Sequence, residues 1–359
     1  MQADFNIAYI CDEDYAFTTI ISIRSLKQNR KRDLRYRVYI VTKGLSDKSI
    51  RSVLELQEKN NFIISICKSR IENEELFEQC RHVSTAALLK FALPSILDDL
   101  DYILYADSDI LFRKGFEKIF DININDVYAA VVKDMPTYES DHLQELGLCE
   151  YFNSGIMYLN LKRMRDDDVE RKLLEYKKNE KIHLFMDQDA FNVVMGQNVI
   201  FIHPQYNLIY DIYRKYDCKQ IALFYGISEK RAIDLDQSAY VLHMAGARKP
   251  WNDLESEQLY EWLFYMKNFE EYSRWEKELY CDKKSMRHLE DQLHSAEREL
   301  AQLKEQFQLV QENQSELQQK LGQCLNLEQH QVLEQRVNSL ENWIVIRMYK
   351  FLSRFLRNK

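Results

Sequence analysis

The stretch Asp101-Tyr-Ile-Leu-Tyr-Ala-Asp107-Ser-Asp109-Ile-Leu-Phe112 decides how the rest of this chain is read. Tyr102 to Tyr105 are aromatic or aliphatic and β-prone, which predicts a buried strand, and two carboxylates follow where that strand should end. A carboxylate there is costly unless it is hydrogen-bonded, paired or metal-bound, and two of them one residue apart repel each other. A divalent cation resolves both problems. Oxygen ligands of this kind suit Mn2+ or Mg2+ carrying a diphosphate, whereas zinc prefers Cys and His. Because Asp-x-Asp also arises by chance in acidic loops, its meaning depends on the residues around it.

Upstream, residues 5–11 read as a strand running into the acidic turn Asp12-Glu13-Asp14-Tyr15, followed by a helical pattern through Thr18, Ile21, Ile23 and Leu26. Next come a strand over 36–41, a helix over 46–60 opened by Ser46 as N-cap, and a strand over 62–67. This βαβαβ alternation predicts a parallel sheet with crossover helices. Ligands of such sheets collect at the carboxyl ends of strands, where Asp12, Asp14, Asp107 and Asp109 all fall. A solvated acidic rim is the structural alternative. A helix over 84–97 carries Lys90 in an apolar run, and that lysine either snorkels to solvent or reaches back toward the aspartates or a phosphate.

Downstream, a strand over 127–132 precedes the polar stretch 133–150, a candidate lid or acceptor loop. Phe152-Asn153-Ser154-Gly155 stands just before a strand, where an Asn commonly caps a turn. A charged helix over 168–179 is followed by Asp187, which suits a helix N-cap, and by Gln188, which no capping rule requires. After a strand over 199–203, the tyrosine-rich segment 207–236 is a second candidate acceptor wall. In Tyr240-Val-Leu-His243-Met-Ala-Gly246-Ala-Arg-Lys249-Pro250-Trp251, His243 ends a short strand and Gly246 permits close backbone approach, while Lys249 supplies a point charge. His243 is either a structural histidine or the third ligand that Asp107 and Asp109 need.

The 359 residues exceed one typical domain, and 46% hydrophobic composition is enough to fill a sizeable core. A net charge of −8 argues against nucleic acid as the main partner. No hydrophobic leader precedes Asp4, and the seven cysteines form no Cys-x-x-Cys pair, a pattern that predicts reduced thiols in a cytoplasm. No apolar run is long enough to predict a membrane-spanning helix.

Six pieces in order across residues 5–255 resemble glycosyltransferase family 8, the retaining group with bacterial lipopolysaccharide galactosyl- and glucosyltransferases. They are Cys11-Asp12-Glu13-Asp14-Tyr15, Ala87-Leu-Leu-Lys90-Phe-Ala-Leu-Pro94, Asp107-Ser-Asp109, Phe152-Asn-Ser-Gly155, Asp187-Gln-Asp189 and His243-x-x-Gly246-x-x-Lys249-Pro-Trp251. The resemblance implies an α/β fold of the GT-A, Rossmann-like type and transfer of glucose or galactose from UDP-glucose or UDP-galactose to a surface-glycan or glycolipid acceptor. It implies that Asp107, Asp109 and His243 bind Mn2+, with Mg2+ as the substitute, and that Gly246 and Lys249 hold the phosphates. Asp12, Asp14 and the Ile10 backbone would contact uridine, with Ser108 also on the donor side. Asn153, Asp187 and Gln188 would surround the donor sugar. Lys90 stands where many relatives carry arginine, and a lysine lacks the bidentate fork. Gln188 occupies the face where retaining glycosidases keep a carboxylate nucleophile, which favours front-face substitution, with Asp187 as a transient nucleophile the other route. A catalytically silent nucleotide-sugar-binding scaffold is the rival class. A nucleotidyltransferase would need a Gly-rich phosphate loop near the N-terminus, and none is present.

The expected organisation is a catalytic domain over 1–255, a helical linker over 256–285, a coiled coil over 286–342 and a basic amphipathic helix over 343–359. Met286, Leu289, Leu293, Ala296, Leu300, Leu303, Phe307 and Val310 alternate in steps of three and four, a seam that predicts homo-oligomers or a helix folded back on the catalytic domain. Trp343 to Lys359 has no acidic residue and carries Arg347, Lys350, Arg354 and Arg357 at helical spacing. That pattern suits an anionic membrane surface, which predicts a peripheral location on the inner face of the cytoplasmic membrane; a frayed basic terminus is the alternative.

Overall fold

The computed structural model describes residues 4–68, 85–139, 141–179, 185, 187–210, 215–246, 249–251, 259–266 and 308. The chain divides into two units, Met1–Tyr272 and Ser273–Lys359. The expected coiled coil and basic helix lie outside the described residues, Gln308 aside. No helix among the described residues is long and apolar enough to cross a membrane.

Among the described residues, ten strands build two sheets. They are β1 (Phe5–Ile10), β2 (Tyr36–Thr42), β3 (Phe62–Lys68), β4 (Tyr102–Ala106), β5 (Ile110–Phe112), β6 (Ala129–Lys133), β7 (Phe152–Asn160), β8 (Val199–Phe201), β9 (Leu208–Ile209) and β10 (Val241–His243). The large sheet has the order β3-β2-β1-β4-β7-β6-β8, and the small one β5-β10-β9. Strands β1 to β4 pair in parallel, as the βαβαβ pattern predicts. The sheet is nevertheless mixed, because β7 runs antiparallel to both β4 and β6. The chain returns from β6 to the neighbouring position in the sheet, so β7 pairs with it antiparallel.

Helix α1 (Ala16–Asn29) links β1 to β2, and α2 (Asp47–Leu54) links β2 to β3. Ser46 caps α2 as expected by accepting from the Ser49 amide, although the helix ends well short of residue 60. The helix expected over 84–97 is two pieces, α3 (Thr85–Phe91) and α4 (Leu93–Ile96). Pro94 explains the break, since it has no N–H for the Lys90 carbonyl four residues back and its ring crowds that oxygen. The later helices that bear on the site are α5 (His142–Glu145), α6 (Leu161–Asp166), α7 (Val169–Asn179) and α8 (Gln188–Met195). Both faces of the large sheet are covered: Ile7, Tyr9, Val38 and Leu104 pack on the α1 side, and Ala8, Val41, Ile103 and Met157 face the α3 and α8 side.

Candidate active site

The carboxylate pair sits where the chain changes sheets. Strand β4 ends at Ala106 in the large sheet, β5 begins at Ile110 in the small one, and Asp107-Ser108-Asp109 is the step between them. Each residue of the step is anchored differently. The Asp107 amide donates to the Gly155 carbonyl on β7 at 2.8 Å, and the Asp109 carbonyl accepts from the Met244 amide just beyond β10 at 3.0 Å. Ser108 Oγ shares a hydrogen bond with Thr19 Oγ1 of α1 at 2.7 Å and donates to the Ile10 carbonyl at 3.4 Å.

The β5–β10 pairing sets Ile110 opposite His243, which delivers the imidazole from 134 positions away to the carboxylates. One ligand atom each from Asp107, Asp109 and His243 all lie within 4.8 Å of one another. His243 Nε2 is 3.3 Å from Asp109 Oδ1, and the ring is buried. Gly155 makes this approach feasible: a Cβ there would stand 2.2 Å from His243 Cε1. Two hard carboxylates and one imidazole converging from rigid strands are a donor set that fits a Mn2+- or Mg2+-like ion. Lys249 completes this edge, donating to Asp109 Oδ2 and to the Met244 carbonyl at 2.5 Å each. Burial pushes the Asp109 carboxyl up, but His243 and Lys249 outweigh it and hold the group well below the usual carboxylate range. Gly246 has φ +101°, a backbone conformation that a side chain would strain.

A second charged cluster lies alongside. Lys90, 5% exposed, does not snorkel. Its Nζ donates to Asp187 Oδ2 at 2.5 Å and lies 3.2 Å from Asp107 Oδ1, with the Tyr105 ring beneath it at 4.5 Å. Tyr105 donates its hydroxyl to Asp107 Oδ1. Burial lowers the Lys90 ammonium, yet the two aspartates more than offset this and raise it. Burial likewise raises the Asp187 carboxyl, and Lys90 with Ser154 brings it below its ordinary range. Asp187 stands at the N-cap position of α8 without capping it, since its Oδ2 accepts from Lys90 and from Ser154 Oγ at 3.0 Å. The capping expectation is therefore replaced by a buried ion pair.

Asn153 is likewise no turn cap, for Asn153-Ser154-Gly155 lies inside β7. The register against β6 jumps from Val131↔Met157 to Val132↔Asn153, and this bulge turns the three residues toward the site. Gln188 Oε1 accepts from Asn153 Nδ2 and from the Ser154 amide, both at 3.1 Å, while its Nε2 donates to Asp134 Oδ2 at 2.9 Å. Asp134 also accepts from Thr137 Oγ1 at 3.0 Å, and burial raises its carboxyl above the ordinary range despite these bonds. Asn207, 1% exposed, bridges Asn153 Oδ1 at 2.9 Å and His243 Nδ1 at 3.0 Å.

Sequence reasoning did not single out Asp134, Asn207 or Tyr105 as site residues. Asp134 is the first residue past β6 and Asn207 immediately precedes β9, so strand ends were the available signal. Asp12, Glu13 and Asp14 are exposed at the carboxyl end of β1. Asp12 Oδ1 accepts from the Tyr15 amide at 3.0 Å, and Glu13 is engaged by Ser46 and Ser49 at 2.7–2.8 Å.

Residues 6–255 match the model of glycosyl transferase family 8. A lipopolysaccharide 1,2-glucosyltransferase of Escherichia coli K12 is 27% identical over 288 residues, covering 78% of this chain and 82% of the relative. A lipopolysaccharide 1,3-galactosyltransferase of Salmonella typhimurium is 24% identical over 261 residues, covering 69% and 73%. Among solved structures, the galactosyltransferase LgtC in complex with donor and acceptor sugar analogs superposes with a TM-score of 0.62 at 20% identity, covering 76% of this chain and 100% of the other.

Proposed function

This chain belongs to glycosyltransferase family 8, and from that premise we propose that it is a metal-dependent, retaining hexosyltransferase. Its donor is UDP-glucose or UDP-galactose, and its acceptor is a bacterial surface glycan of the lipopolysaccharide type. The single observation that supports this most is the convergence of Asp107, Asp109 and His243 within 4.8 Å beside Lys249. A silent scaffold has no need for such a costly collection of buried charge.

In this reading Asp107, Asp109 and His243 hold a divalent cation, which supplies Lewis-acid neutralisation of a departing diphosphate. Lys249, already at this edge, turns from Asp109 to a phosphate oxygen and adds a point charge to the same leaving group. The Ile10 backbone with Asp12 and Asp14 faces uridine at the exposed end of β1, and Ser108 ties the donor side to α1. Gly246 lets the backbone approach the phosphates. Lys90, Asn153, Asp187 and Gln188 surround the sugar. The commitment of Asp187 to Lys90 and Ser154 argues for front-face substitution over a glycosyl-aspartate, with the acceptor hydroxyl attacking from the leaving group's side and losing its proton to phosphate.

The tail over 286–342 is assigned to self-association through its heptad seam, and 343–359 to an anionic membrane surface. The test of the central reading is a screen of UDP-glucose and UDP-galactose for Mn2+-dependent UDP release, repeated with Asp109→Ala. Release with neither donor, or release unchanged by that substitution in folded protein, defeats it.

A further inference from the structure

The hydrogen bonds from His243 to Asp134 form one chain whose direction is fixed by two backbone amides. The Ser154 amide can only donate, so the Gln188 atom facing it is the oxygen, Oε1. Gln188 therefore turns its Nε2 to the Asp134 carboxylate, and Asn153 must offer Nδ2 to Gln188 Oε1. The Gly155 amide likewise can only donate, and it meets Asn153 Oδ1 at 2.9 Å. Asn207 then must present Nδ2 to that same oxygen, which leaves its Oδ1 for His243 Nδ1. Every amide orientation along the path is set, and no flip of a single member is tolerated without opposing two donors or two acceptors.

We infer that Asn207 is a positioning residue for His243: its Oδ1 accepts from the Nδ1 N–H, which makes Nε2, the nitrogen on the Asp109 side, the one that can ligate a cation. A ligating imidazole needs that arrangement, and the group that accepts from its other nitrogen fixes both tautomer and ring orientation. The bulge in β7 has a double part, since Ser154 and Gly155 supply the two amides that set the direction while the missing side chain of Gly155 makes room for the ring. Asn207 also joins the cation side of the site to the Gln188–Asp134 side. The inference rests on the reading of His243 as a ligand, but the tautomer itself does not.

Two measurements keep these apart. Nitrogen-15 correlation spectra of the metal-free protein should show a hydrogen-bonded proton on His243 Nδ1. Asn207→Leu, which keeps the branching but adds volume and lacks an acceptor, should lose the hydrogen-bonded Nδ1 proton signal, whereas Asn207→Asp should keep it. Calorimetry of Mn2+ with UDP should show affinity about 10–100-fold weaker for Asn207→Leu, with Asn207→Asp between it and the wild type, since that carboxylate keeps the acceptor for Nδ1 but opposes Asn153 Oδ1. A wild-type Nδ1 that carries no proton overturns the inference, as does Mn2+ affinity within about twofold of wild type for folded Asn207→Leu. If Asn207→Leu does not fold, the wild-type and Asn207→Asp spectra decide the matter. If wild-type protein binds no Mn2+ with UDP, the proposed function fails, and the spectra still decide the role of Asn207.

Discussion

Two groups of acidic residues lie at the same edge of the large sheet, and they are built in opposite ways. At the end of β1, Asp12, Glu13 and Asp14 face solvent, Asp12 accepting from the Tyr15 amide and Glu13 from Ser46 and Ser49 at the start of α2. At the end of β4, Asp107, Asp109 and the neighbouring Asp187 are partly buried, and each is engaged by a lysine, with Asp109 also facing His243. One region is organised before any donor arrives, while the other keeps its hydration until something displaces it. Under the proposed function the half that carries the chemistry is the preorganised one, as electrostatic stabilisation of a leaving group requires. Substitutions in the buried region should therefore damage turnover and folding together, and those in the exposed region should affect donor affinity alone.

The largest expected effect is from Asp109→Ala, which should lower UDP release on the order of a hundredfold or more in steady-state assays with Mn2+. Gly155→Ala tests the same region without touching a charged group. Because the new Cβ meets His243 at 2.2 Å, the ring must move. Calorimetry with Mn2+ and UDP should show affinity about 10–100-fold weaker, and denaturant melts should show about 1–3 kcal/mol of overpacking cost.

Lys90→Met sharpens the comparison through pH. The depressed Asp187 carboxyl gives stability that is present above the ordinary carboxylate range and is lost as pH falls through its lowered value. The raised Lys90 ammonium gives stability that is present below the ordinary ammonium range and is lost as pH rises through its elevated value. Removing Lys90 should thus cost about 3 kcal/mol near neutrality, the low end for breaking a buried pair, because Asp187 keeps 22% side-chain exposure. Protonation of the unpaired Asp187 relieves that cost, so the gap to wild type should narrow as pH falls in metal-free thermal melts. A gap independent of pH would remove Asp187 from this account. The smallest effect belongs to Asp12→Asn, which retains an acceptor for the Tyr15 amide. UDP binding should weaken about fivefold, the worth of roughly one hydrogen bond, with no measurable change in melting temperature.

The legible parts of the fold were those with a local rule behind them. The βαβαβ alternation gave the parallel β1 to β4 core, and the strand-end rule pointed to Asp107 and Asp109, while His243 stayed open between structural and ligand roles until the family resemblance set it beside them. The illegible parts were contacts made by tertiary geometry. Nothing in the order of residues 152–160 announces a bulge, so Asn153 read as a turn cap and Gly155 had no assigned neighbour. Asn207 and Asp134 are paired with residues 54 positions away, a separation over which no periodicity reports. Pro94 was visible throughout, but the strength of the apolar pattern around Lys90 hid the break it enforces.

Because Asp107 closes one sheet and Asp109 opens the other, a cation gripped by both, and by His243 on β10, would act as a rivet through the seam between them. Shear along that seam would pull the ligands apart, so whatever holds the ion would also resist separation of the two sheets there. Occupancy at a hundred times the dissociation constant is worth about 2.7 kcal/mol to the folded state. Most of that reinforcement would be felt where the small sheet joins the large one, rather than evenly through the protein.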